Sequence, residues 1–163
     1  MKETDLIAQI LDTWRRHNDI LLFLLNEILE EGLSAIPSNS RGRDVARQLT
    51  HIYRNRLGWV HYHETGKRPQ LERFDKDPPP AKTELINFIE ESGDAVLLLL
   101  EKALKGEIQP RMFGKNIIRW MGYLIAHESH HRGQIMLALK QNGMRLPDNV
   151  AIQGLWGKWI MGK

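Results

Sequence analysis

The stretch His127-Glu128-Ser129-His130-His131-Arg132-Gly133-Gln134 holds the densest chemistry in the chain. It lies inside a long amphipathic run, and on a helix positions i and i+4 share a face one turn apart. His127 and His131 are spaced that way, and two neutral imidazoles so held can close on one divalent cation. Helical phase sorts the histidines of this run. Ile117, Met121, Leu124 and Ile135 set the buried direction; His131 falls close to it, His127 lies at its edge and His130 points away. Two inward histidines are costly to bury without a partner, so the pair points to a metal.

Two ligands leave such a site incomplete. Catalytic zinc-type sites use three protein ligands and keep one position open. The third candidate is His51, in Leu49-Thr50-His51-Ile52, or else His61 or His63. The latter two fall about 15 Å or more along a helix axis from His51, so only one of these groups can share the site. Spacing alone favours His51 only slightly. His17 sits in the inward series Ile10, Trp14, His17, Leu21. It is either a hydrogen-bonded core histidine or a group that supports the metal or shuttles a proton.

The letters HESHH also satisfy H-E-x-x-H, the zinc-protease motif in which the Glu is general base. A third ligand must follow that motif, yet no Glu or His occurs after His131, and Gln134 stands where the extended form has glycine. A metalloprotease is thereby disfavoured, and Glu128 needs another role. Its phase turns it toward the core, where a bare carboxylate is costly. It is expected to pair with an arginine, Arg132 being one turn on, or with the second N–H of a ligand histidine. Arg132 could otherwise hold an anionic substrate group. Gln134 either orients a ligand or substrate or bridges the bundle rim, and Gly133 is expected to permit close helix approach.

Four segments with an apolar 3.6-residue period must position these groups. The first runs from about Thr4 to Glu31, with Gly32 as its C-cap. The linker GLSAIPSNSRGR leads to the second, about Arg43 to Thr65, closed by Gly66. A loop from Lys67 to Pro80 follows, and its Pro78-Pro79-Pro80 cannot continue a helix. The third helix spans about Lys82 to Lys105, with Gly93 inside at some cost in propensity. A turn around Gly106 to Pro110 leads to the fourth, about Lys115 to Gln141, capped by Asn142-Gly143. The tail beyond Pro147 carries Trp156 and Trp159, expected to pack on the bundle rather than cover the site. With no strand-like alternation of useful length, the chain reads as an all-α four-helix bundle with one long connection.

Composition bounds the rest. A chain of 163 residues, 42% apolar and 26% charged, suits one ordinary soluble domain. The absence of cysteine excludes disulfides, thiolate ligands and a cysteine nucleophile, and fits a cytoplasmic setting. The opening MKETDLIAQILDTW is an amphipathic helix rather than a signal peptide, and the apolar run Ile20 to Leu25 is too short to span a membrane. Net charge is +3, with the basic residues scattered apart from Arg41, Arg43, Arg47, Arg54 and Arg56. That cluster reads as a solvated helix face rather than a nucleic-acid or anionic-ligand patch, because the net charge is small and no recognition motif accompanies it.

HESHHRGQI resembles the C-terminal signature of the DinB/YfiT-like family, in which an H-x-x-x-H-R-G-Q run on the last bundle helix joins one histidine of the second helix. SRGRDVARQLTHIYRNRLGW is similar to the family's earlier element, and Leu-Trp-Gly-Lys-Trp to its aromatic C-terminus. Together they cover most of the chain in the right order. The resemblance implies an up-down-down-up four-helix bundle over residues 1–163, often a homodimer, with a nickel or zinc ion held by His51, His127 and His131. Members with known chemistry include thiol transferases that use low-molecular-weight bacterial thiols, and related isomerases, so a small-molecule substrate is implied. The extra histidines His61 and His63 depart from the pattern.

Three functions fit. The first is a metal-dependent thiol S-transferase acting on a small electrophile. The second is a metal-dependent hydrolase whose nucleophile is bound hydroxide. The third is a stress-related metal-binding bundle without turnover. Fold alone does not choose among them. A transferase needs a cavity with room for two substrates and some basic groups. A hydrolase needs a carboxylate within reach of the metal's water. A non-catalytic protein should block the fourth position.

Overall fold

In the computed structural model, residues 3–38, 42–69 and 79–162 are described. Arg41 of the basic cluster, Pro78 of the proline run and the residues just before it lie outside the described residues. Four long helices form the bundle: α1 Glu3–Glu27, α2 Val45–Thr65, α3 Lys82–Leu104 and α4 Ile117–Gln141. A π-helical stretch, Asn149–Trp156, and a short α5, Gly157–Met161, complete the chain. The all-α expectation holds, with no strand among the described residues. Helix α3 packs against both α1 and α2, and α4 packs chiefly against α2.

The helix ends follow local chemistry. Asp44 caps α2 by accepting the Arg47 N–H at 2.7 Å. Gly66 closes it with φ 74°, a left-handed conformation suited to glycine, and its N–H returns to the Tyr62 carbonyl. Glu84 reaches back to the Ala81 N–H at the start of α3. Asn116 accepts the Arg119 N–H at the start of α4. That helix therefore begins two residues later than the sequence suggests, because Met112, Phe113 and Lys115 adopt positive φ angles of 54°, 47° and 57°. Helix α1 also stops early, at Glu27 instead of Glu31. The Lys82 ammonium binds the carbonyls of Asn26 and Ile28, satisfying acceptors that a further helical turn would have used. Gly32 is accordingly not the cap of α1. It lies buried in a 3-10 turn, Glu30–Ser34, where a Cβ would come within 2.9 Å of Leu139.

The core is divided. One apolar cluster gathers Leu24, Leu25, Leu49, Ile52, Leu85, Ile89, Ile135 and Leu139. The other gathers Trp14, Val96, Leu100, Trp120 and Leu124. In the order of residues along the long helices, buried polar side chains separate the two: His17 on α1, Arg56 on α2, Ser92 on α3, and Glu128 with His131 on α4. This polar layer supplies the backdrop of the site described below. The tail lies on α1: Trp159 packs beside His17 with ring centroids 6.2 Å apart, while Trp156 is exposed. No described helix is long and apolar enough to cross a membrane.

Gly93 shows how tightly α1 and α3 approach. A Cβ there would meet the Asn18 side chain at 2.5 Å, and Asn18 is pinned because its Oδ1 accepts from Arg56 at 2.7 Å. Alanine improves an exposed helix interior by roughly 1 kcal/mol over glycine. Here overpacking should win, and Gly93→Ala is expected to destabilise the fold by about 1–3 kcal/mol in urea denaturation. Gly133 behaves differently from expectation. It is exposed, and a Cβ would meet nothing within 4 Å, so it serves no close approach.

Candidate metal centre

His51 from the first half of α2 meets His127 and His131 from α4. One ring nitrogen of each lies within 4.8 Å of the others. Ring centroids are separated by 5.2 Å for His51–His127, 5.0 Å for His51–His131 and 4.7 Å for His127–His131. The Nε2 atoms of His51 and His127 are 3.3 Å apart. Zinc–imidazole bonds of 2.0–2.1 Å in a tetrahedron place their nitrogens about 3.3–3.4 Å apart, so this pair already spans one edge of such a site. The donor set fits a divalent ion. The geometry separates the three upstream histidines that spacing left almost level: His51 joins the pair, His61 is exposed, and His63 is buried elsewhere. His63 accepts the Arg111 backbone N–H at Nδ1 and packs 4.7 Å from the Trp120 ring.

Neighbouring groups hold the imidazoles ready for a cation. The Gln48 amide donates to the Arg43 carbonyl, which turns its Oε1 toward His131 Nδ1 at 3.3 Å. His131 therefore carries its proton on Nδ1, leaving the Nε2 lone pair for a ligand bond. Asn55 lies 3.4 Å from His127 Nδ1. With its amide oxygen turned to that nitrogen, it would impose the same tautomer. Burial pushes both ligand candidates toward the neutral form. The His131 pKa falls to about 4 through burial first, then repulsion from His127 and His51. His127 is also lowered, chiefly by burial. Neutral imidazole at pH 7 is the form that binds metal.

Gln48 and Asn55 escaped sequence reading, although both share a face with His51, at i−3 and i+4. Gln48→Leu is expected to weaken metal binding about 10–100-fold, the usual effect of losing such a support. Competition with a chelator measures that loss. ¹⁵N NMR of the metal-free protein should show the Nδ1–H tautomer of His131 depleted.

Glu128 is buried to 1% exposure and makes a two-pronged contact with Arg56, at 2.8 Å to Nε and 2.7 Å to Nη2. His17 Nε2 donates to the same carboxylate at 2.8 Å. Burial alone would raise the Glu128 pKa, but the Arg56 charge and the hydrogen bonds from Arg56 and His17 outweigh it and hold the group at about 2. Arg56, not Arg132, is thus its ion-pair partner. Arg132 is half-buried and donates to Ser129 at 3.3 Å. A residue four positions away on the same helix competes poorly with a guanidinium delivered across the bundle, where both of its N–H groups align with the carboxylate. Gln134 bonds the exposed His130 at 3.0 Å, and the His130 ring lies 5.5 Å from that of His131, at the outer flank of the cluster.

A cavity of about 590 Å³ opens beside the cluster, with His51 in its wall. Trp59, Tyr62 and Tyr123 form its aromatic side, and Tyr123 stacks on His127 with ring centroids 5.7 Å apart. Arg43, Arg47, Arg54 and Arg68 supply its charge, and no described lining residue is acidic. The basic cluster thus is not simply a solvated face: three of its members line the cavity, and Arg56 is buried on Glu128. Their common destination was hidden because Arg68 lies beyond the end of α2.

The sequence model of the DinB family matches residues 1–155. No curated protein aligns significantly with the chain.

Proposed function

The chain belongs to the DinB family, and from that premise we propose that it is a metal-dependent thiol S-transferase, with His51, His127 and His131 as the ligands of a nickel or zinc ion. The observation that carries this reading is the position of His51, which contributes at once to the three-histidine cluster and to the wall of a 590 Å³ cavity. A divalent ion bound there would keep a thiol deprotonated at neutral pH and so make it nucleophilic. The protein's own part is to hold the three imidazoles in place. Gln48 fixes the proton of His131, and Tyr123 backs the His127 ring. Trp59, Tyr62 and Tyr123 present an apolar wall against which an electrophile can lie. The volume is within the range of small-molecule sites.

The hydrolase alternative wants a carboxylate at the nucleophile. Among the described residues, none lines the cavity, and the buried acids Asp44 and Glu128 are each committed to an arginine. The open space beside His51 likewise argues against a blocked, non-catalytic centre.

The test is to load the untagged protein with nickel or zinc and follow consumption of cysteine-containing thiols with a chromogenic aryl halide. Metal-dependent conjugation that disappears in His51→Ala supports the proposal. Hydrolysis of activated esters without any conjugation would replace it with the hydrolase reading.

A further inference from the structure

The cavity has a polarity of charge that the transferase reading does not use. Arg43, Arg47, His51, Asn55 and Trp59 recur at intervals of four residues, so one stripe of α2 and its approach runs from cations, past the histidine cluster, to an aromatic ring. Arg54 flanks that stripe, and Arg68 stands beyond the other end of the helix. Four of the chain's 23 Lys and Arg residues thus line one concavity, with no acid among its described lining residues. Arg47 is held by the Asp44 carboxylate. Arg43 and Arg54 also have interactions within the protein. Such contacts orient a guanidinium without exhausting it, because each carries five N–H donors in a planar fork suited to carboxylate or phosphate.

We propose that this cavity binds a small ligand with at least two anionic groups, carboxylate or phosphate. One group would meet the Arg43, Arg47 and Arg54 side and another Arg68, while an apolar or unsaturated middle section packs on Trp59 and Tyr123. Charge at both ends and aromatic rings between them select for an elongated dianion over a monoanion. The volume is within the range of small-molecule sites. That this ligand is a substrate rests on the transferase reading; that the arginines bind it does not.

The experiment uses the full-length protein stripped of metal, because carboxylates and phosphates would otherwise also bind an ion. Succinate, tricarballylate and pyrophosphate are titrated by calorimetry, with the Trp59 indole N–H followed by NMR. Expected are saturable binding of at least one dianion, weakened by salt, and a shift of the Trp59 signal. Affinity should fall about tenfold in Arg54→Gln and in Arg68→Gln, the loss of one charge-assisted contact. Arg145→Gln, outside the cavity, should leave it unchanged, and succinamide, the neutral analogue, should not bind. A preference for succinate or for pyrophosphate tells which anion the site is built for. No saturable binding, or affinity in both cavity variants unchanged from wild type, overturns the proposal and assigns the arginines to internal contacts. His131→Ala, in the histidine cluster but not among the residues lining the cavity, separates the two ideas: it should abolish thiol conjugation while dianion binding survives.

Discussion

Purified, untagged protein is expected to take up about one divalent ion per chain, and His127→Ala, His131→Ala and His51→Ala are each expected to lose it, falling at least about 100-fold in affinity. The effect should be large because each substitution removes one of three donors, and two imidazoles hold an ion far less well than three. Plasma emission spectrometry of each variant, after dialysis against a weak chelator, reads the outcome. A wild-type protein that stays metal-free under zinc or nickel loading would sink the assignment. Retention by His51→Ala alone would return His61 or His63 to consideration, against their positions in the fold. The pH dependence has a definite sign. His131 has a pKa of about 4 in the folded protein against an ordinary 6.5. In the metal-free protein it is neutral in both folded and unfolded states above that ordinary value. As pH falls from 6.5 toward 4, the unfolded chain takes up a proton that the folded one refuses, so stability declines through that window. His127, also lowered, acts in the same direction. Thermal unfolding of the metal-free protein between pH 7.5 and 4.5 should show the decline.

The second large effect lies in the polar layer. Glu128→Leu should destabilise the protein by about 3–5 kcal/mol, because it strands the Arg56 guanidinium, 0% exposed, without its counter-charge. The remaining partners of Arg56, which are the Asn18 side chain at 2.7 Å, the Ile89 carbonyl and Ser92, are neutral. Trp14 adds a ring face 5.0 Å from the guanidinium carbon. None replaces a carboxylate. The double variant Arg56→Met/Glu128→Leu removes both charges and should recover most of the loss, since a buried ion pair is often no more stable than an apolar pair of similar volume. Urea denaturation of the two variants decides it. If the double variant is no more stable than the single one, the destabilisation comes from lost packing or from the stranded His17 N–H, and not from an uncompensated charge on Arg56. The network ties α4 to α1, α2 and α3 one residue from His127. The double variant should therefore also bind metal less tightly than wild type despite its recovered stability.

Much of this was legible in one dimension. The i and i+4 spacing of His127 and His131, the apolar period that turned them inward, the outward direction of His130 and the caps at Gly66 and Asn142-Gly143 are properties of single helices. The period of the backbone alone sets them. The inward carboxylate at position 128 was legible for the same reason. Which upstream histidine meets the pair was not. His51 and His63 both fall on α2, and only the way α2 packs against α4 brings one of them to the site. The partner of Glu128 was hidden likewise: Arg132 is near in sequence, but Arg56 arrives from across the bundle with its fork aligned. Arg43, Arg47 and Arg54 read as part of a solvated helix face until packing folded them, with Arg68, around one cavity. A sequence by itself determines what each helix presents on each face. The rotation and pairing of helices, set by interlocking side chains from all four at once, decide which faces share a site.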